Sequence, residues 1–159
     1  MKHLPKHLRP KWRYVAVGVE TNPDVSMARG DFQRELWYAA QNLLGDAGSA
    51  DADGTVVRFA FRDGDGEAIV RARRGEVEPL RAALACIASV DGDDVAISIR
   101  GVSGTIRACE EKYLTGPTER SENHEVAFES TDRPAIVRGD RVAVDRNGGR
   151  TYATTGDIE

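Results

Sequence analysis

Apolar residues alternate with polar or small ones in WRYVAVGVE, where Val15, Val17 and Val19 share one face, and this pattern predicts a first strand. After the loop TNPDVSMARG, Phe32, Leu36, Ala40, Leu43 and Leu44 fall at helical spacing, with Asp31 placed to cap the helix and Gly45 to end it. GDAGSADADG reads as a polar, acidic loop. TVVRFAFR then alternates strictly, with Val57, Phe59 and Phe61 on one side and Arg58 and Arg62 on the other. A DGDG turn leads back along EAIVRARR, its hairpin partner. Val77, Leu80, Leu84 and Ile87 predict a second helix that ends near DGDD, with Pro79 in its first turn, where the missing N–H costs little. DVAISIR is a fourth strand, and Thr105 to Leu114 a third helix halted before Gly116 and Pro117.

The order β-α-β-β-α-β predicts an α+β fold: a ferredoxin-like, RRM-like sandwich with two helices on one sheet face, an extra C-terminal helix and a short β-rich tail. Three segments follow along the chain. Residues 1–13 form a basic, weakly ordered arm, residues 14–115 the ferredoxin-like domain, and residues 116–159 an acidic, partly ordered extension. In that extension HEVAFES, RPAIVRG and DRVAVDR read as small, loosely packed strands, with a hairpin at Arg138, Gly139 and Asp140.

Composition adds to this picture at a few points. At 159 residues the chain suits one domain with an appendage. It has no run of about eighteen apolar residues, so no membrane partner is expected. The start, MKHLPKHLRPKWR, is basic without an apolar stretch and does not read as a secretory signal. Cys86 and Cys109 lie far apart, each in a predicted helix, and read as small buried or half-buried thiols of a reducing cytosol. The formal net charge of −4 argues at first against a nucleic-acid partner. Yet lysine is scarce, arginine plentiful, and aspartate crowds the loops, a pattern that suits a high-salt cytoplasm. The positions of the arginines are then the better guide.

If Val57/Phe59/Phe61, Ala68/Val70/Ala72 and Val95/Ile97/Ile99 face the helices, the opposite sheet face carries Arg58, Arg62, Arg71, Arg73 and Arg100. Those charges need an acidic partner, or else nearby Asp and Glu side chains or solvent. An arginine face without stacking rings suits the phosphates of structured RNA or an acidic protein surface; it does not suit a reader of single-stranded sequence. GVSG, bracketed by Gly101 and Gly104, reads either as a tight strand-to-helix turn or as a donor-rich corner for an anion. It is no P-loop, because the lysine is missing, and DGDGE lacks EF-hand spacing. His3 and His7 sit in a proline-containing arm, His124 has no evident partner, and the adjacent Glu110 and Glu111 make a poor acid/base pair. No catalytic constellation emerges.

RYVAVGVE, AIVRARR, LRAALACI and above all ISIRGVSGTIRACEEKYL resemble the archaeal and eukaryotic ribonuclease P protein component 2 family over residues 11–114. The acidic loops and the extension resemble the version found in salt-loving archaea. The resemblance implies a cytoplasmic, non-catalytic subunit of the enzyme that removes the 5′ leader of precursor tRNA. It implies that the RNA subunit holds the active site and its Mg²⁺, with no cofactor on the protein. Implied partners are ribonuclease P RNA, protein component 3 and other protein subunits of the enzyme, with precursor tRNA met indirectly. Expected RNA- or partner-binding residues are Lys11, Arg13, Arg58, Arg71, Arg73, Arg100, Gly101, Ser103, Gly104, Thr105, Arg107 and Lys112. Two other classes compete with this reading. One is a ferredoxin-like protein–protein or small-ligand regulatory module; the other is an autonomous metal-dependent nuclease, against which the missing carboxylate cluster argues.

Overall fold

The computed structural model describes residues 5–8, 11–114, 122–129, 131–138, 141–146 and 149–157. They belong to two compact units, Met1–Gly116 and Pro117–Glu159. Lys2, His3 and Arg9 of the basic arm, the helix stop at Gly116 and Pro117, the Gly139 and Asp140 turn and the side chain of His124 lie outside the described residues.

After a 3-10 turn at Lys6–Leu8, the N-terminal unit runs β1 (Trp12–Glu20), α1 (Arg29–Ala52), β2 (Thr55–Arg62), β3 (Asp65–Arg73) and α2 (Val77–Ala85). The short strands β4 (Ser89–Val90) and β5 (Asp93–Asp94) follow, then β6 (Ala96–Ser103) and α3 (Ile106–Tyr113). The main sheet has the order β2-β3-β1-β6, antiparallel throughout. That is the split β-α-β arrangement expected from the element order. Val15, Val17 and Val19 of β1 and Ala68, Val70 and Ala72 of β3 meet Phe32 and Leu36 of α1 and Leu80 and Leu84 of α2 in one core. Each Val, Leu or Phe fully buried there contributes roughly 1.5–3 kcal/mol. Buried Gln33 ties α1 to the start of β2: its amide donates to the Gly54 carbonyl at 3.1 Å and accepts from Val56 N–H at 2.7 Å. The hairpins β2-β3 and β4-β5 turn on Asp63–Gly64 and Asp91–Gly92, each pair with positive φ, as a type I′ turn requires.

Several expectations are corrected. Helix α1 does break at Gly45 (φ 73, ψ 174), but the acidic stretch beyond it is helical again as far as Ala52. Ala47, Ala50 and Ala52 favour helix, and Ala52 is anchored at 1% exposure. Asp31 does not sit at the cap; that position is Ala28, whose N–H donates back to the Asp31 carboxylate at 2.9 Å. A bulge in β2 between Val56 and Arg58 puts Val56 in the main core and turns Val57 to the other face. Strand β6 continues to Ser103, so Gly101 lies in the sheet, opposite Ala16, rather than in a corner after it. Cys86 is the exposed C-cap of α2, and only Cys109 is buried.

The C-terminal unit is an antiparallel meander of β7 (Glu122–Phe128), β8 (Thr131–Arg138), β9 (Arg141–Arg146) and β10 (Gly149–Thr154), ordered β10-β9-β8-β7. Val126, Ala135, Val142 and Val144 form its small core, with Phe128 and Val137 against it. Strand β10 went unread in the sequence because RTYAT has too few apolar residues to show alternation. Asp157 accepts from both the N–H and the hydroxyl of Thr154 at 2.8 Å, which holds its carboxyl below the ordinary aspartate value.

Candidate nucleic-acid interface

The sheet face opposite α1 and α2 is covered by α3. Cys109 packs with Ala16 and Ile69, and Tyr14, Val57, Ile106, Tyr113 and Leu114 close around them. Burial, aided by Glu110, pushes the Cys109 thiol pKa up. A sheet glycine makes this docking possible: a Cβ at Gly101 would overlap the Tyr113 ring. A Cβ at Gly18 would meet the Ser98 hydroxyl first, at 2.5 Å, and then the Arg100 guanidinium at 3.2 Å. Gly18 pairs with Glu67 across the ladder, so Arg100 lies over β1 to reach the Glu67 carboxylate at 2.7 Å. The same nitrogen donates to the Tyr113 carbonyl at 3.3 Å and so holds the end of α3. Thr105 begins the helix as a cap, its hydroxyl accepting from Ala108 N–H at 3.1 Å.

The five-arginine face is therefore largely settled within the chain. Arg58 pairs with Glu110 at 2.5 Å, Arg73 with Asp53 at 3.7 Å and Arg62 with Asp63 at 3.5 Å. Arg71 lies 4.0 Å over the Trp12 ring. Aromatics do occur on this face, as Trp12 and Tyr14, but one is stacked under Arg71 and the other packs against α3.

What remains open is one end of the sheet. The register sets Trp12 opposite Arg73 and Tyr14 opposite both Arg71 and Ser103, so β1 begins where β3 and β6 finish. Arg74 N–H donates to the Lys11 carbonyl at 2.8 Å, which extends that edge. Lys11, Arg13, Arg71, Arg73, Arg74, Ser103, Gly104, Thr105 and Arg107 thus gather around one rim. A Cβ at Gly104 would be 3.9 Å from Arg13, so the helix start lies beside the first residues of β1. Arg107 is 88% exposed and, among the described residues, pairs within its own helix, with Glu111. Arg58, Arg100, Gly101 and Lys112 are not brought to this rim: Arg58 pairs with Glu110, Arg100 and Gly101 serve the docking of α3, and Lys112 sits in the helix's last turn. Arg74 was missed because alternation points it away from the face that Arg71 and Arg73 share, whereas the strand end brings it to the rim. Among the described residues no group of three His, Cys, Asp or Glu is placed to hold a metal ion. No helix there is long and apolar enough to cross a membrane.

The geometry defines a class: an RNA-recognition-like α+β domain whose sheet face is closed by its own helix and whose cations gather at one sheet end. Residues 13–114 match the Rpp14/Pop5 family. The "Ribonuclease P protein component 2" of Natronomonas pharaonis is 63% identical over 158 residues, 99% of this chain and 98% of that protein. Its namesake in Methanosarcina mazei is 33% identical over 114 residues, 72% of this chain and 93% of that protein. A chain in "Cryo-EM structure of yeast Ribonuclease MRP" is similar at 13% identity, covering 61% of this chain and 76% of that one, with a TM-score of 0.48. The chain belongs to the Rpp14/Pop5 family, as GVSGTIR and EKYL implied. The family match leaves the C-terminal unit outside it, whereas the Natronomonas relative is matched along nearly the whole chain.

Proposed function

We propose that this chain is a non-catalytic protein subunit of ribonuclease P, supporting a catalytic RNA in removing the 5′ leader of precursor tRNA in the cytoplasm. The observation that carries the mechanism is the rim of Lys11, Arg13, Arg71, Arg73, Arg74 and Arg107 beside a sheet face that α3 closes. Stacking readout on that face is blocked, so recognition falls to phosphate contacts and shape, as suits structured RNA. In molar salt the Debye length is ~3 Å, so only close contacts retain strength. Arginine supplies them better than lysine, because its planar fork meets two phosphate oxygens at once. On this reading the RNA would hold the Mg²⁺ ions and supply the hydrolytic chemistry, and this protein would move no proton. Protein component 3 and the other protein subunits share the assembly, and precursor tRNA is met through it.

The test is cleavage of precursor tRNA by the cognate RNA, reconstituted with and without the chain in high salt. Cleavage is expected to need the RNA and to rise when the chain is added. Turnover by the RNA-free chain, or no gain from adding it, overturns the reading.

A further inference from the structure

Gly45 turns the second half of α1 aside, and a cavity of about 330 Å³ opens between the two halves. Trp37, Gln41, Asp46, Ser49, Ala50 and Asp53 line it, and none of them is a cation. Trp37 is 54% exposed and Tyr38 beside it 52%, although both stand on a helix whose other face fills the core. Asp46 carries no ion pair among the described residues. Asp53 is half free, touching Arg73 only at 3.7 Å.

An open indole face flanked by carboxylates attracts a flat cation and repels a phosphodiester. Tyr38, the next residue of the helix, is exposed outside the cavity lining, and exposed Trp and Tyr are typical anchors of protein interfaces. We propose that this groove docks an arginine-bearing segment of a protein partner, the guanidinium stacking on Trp37 with Asp46 as its counter-ion. The proposal rests on the assembly reading above, since it takes the partner from within that assembly.

The test uses the holoenzyme reconstituted from purified subunits and RNA, with the photo-crosslinker benzoylphenylalanine replacing Tyr38. Mass spectrometry is expected to find a cross-link to one peptide of another protein subunit, with an arginine in that peptide. Trp37→Ala should cut the cross-link yield at least tenfold and Asp46→Asn several-fold, with thermal melts unchanged. A cross-link to RNA, to a second copy of this chain or to a peptide without a cation overturns the proposal, as do no cross-link at all and an unchanged yield in Trp37→Ala. Precursor-tRNA cleavage is read in the same samples. If cleavage depends on the chain while the cross-link fails, the groove is wrong and the assembly reading stands. If cleavage does not need the chain, both fall.

Discussion

Gly101→Ala is the smallest change that tests how α3 closes the sheet. The added methyl would overlap the Tyr113 ring, so the ring and the last turn of α3 must move. Overpacking of this kind costs ~1–3 kcal/mol. The unfolded-state benefit of replacing glycine, about 0.4–1 kcal/mol, offsets part of it. A net loss near ~1.5 kcal/mol corresponds to a Tm drop on the order of 6–12 °C in a domain of roughly 100 residues. Both tryptophans, Trp12 and Trp37, lie in the N-terminal unit, so their fluorescence follows the melting of that unit alone. In a Tyr113→Ala background the overlap is gone, and Gly101→Ala should cost less than about 0.5 kcal/mol. Gly104→Ala is the control: its Cβ meets nothing closer than Arg13 at 3.9 Å, and no change in Tm is expected. Equal costs for Gly101→Ala in the two backgrounds, or no cost in either, would refute the packing argument.

Arg100→Ala removes the 2.7 Å ion pair to the largely buried Glu67 carboxylate and frees the end of α3; the expected loss is ~1–3 kcal/mol by denaturant titration, reduced for partial exposure. Arg58→Ala, whose ion pair is more than half exposed on the arginine side, should cost at most ~1 kcal/mol by the same titration. Native protein treated with iodoacetamide should be alkylated at exposed Cys86 within minutes, while Cys109, buried and with its thiol pKa raised, reacts only after unfolding; equal labelling in the native state would disprove the docked position of α3.

Elements with strict periodicity were legible without coordinates. WRYVAVGVE and TVVRFAFR are strands with the bounds read from the sequence. Their β-branched and aromatic residues recur at period two on the face toward α1 and α2, although β1 from Val15 onward is buried on both faces. Features set by contacts between distant residues were not. The two bulges, which move Val57 and place Arg100 and Gly101 on one face, leave no local mark, since each depends on a partner strand. The site suffered in the same way. Alternation alone leaves open whether an outside acidic partner or the chain's own carboxylates meet the arginines; α3 supplies Glu110 to one of them and the packing that covers the others' neighbours. The sequence offers Gly101 as part of a tight turn or of a donor-rich corner; in the sheet its missing side chain makes room for Tyr113 instead. The strand ends that collect Lys11, Arg73 and Arg74 follow from register, which no single segment encodes.

The rim is tested most directly by the affinity of the chain for ribonuclease P RNA as a function of salt. If Lys11, Arg73 and Arg107 each meet a phosphate, the triple variant Lys11→Ala, Arg73→Ala, Arg107→Ala should bind at least tenfold more weakly. The slope of log affinity against log salt should fall by about 2–3, with Tm unchanged. Arg58→Ala with Arg62→Ala, on the face that α3 flanks, should bind like wild type. A triple variant with wild-type affinity and slope, or a face variant that loses as much, would contradict the account.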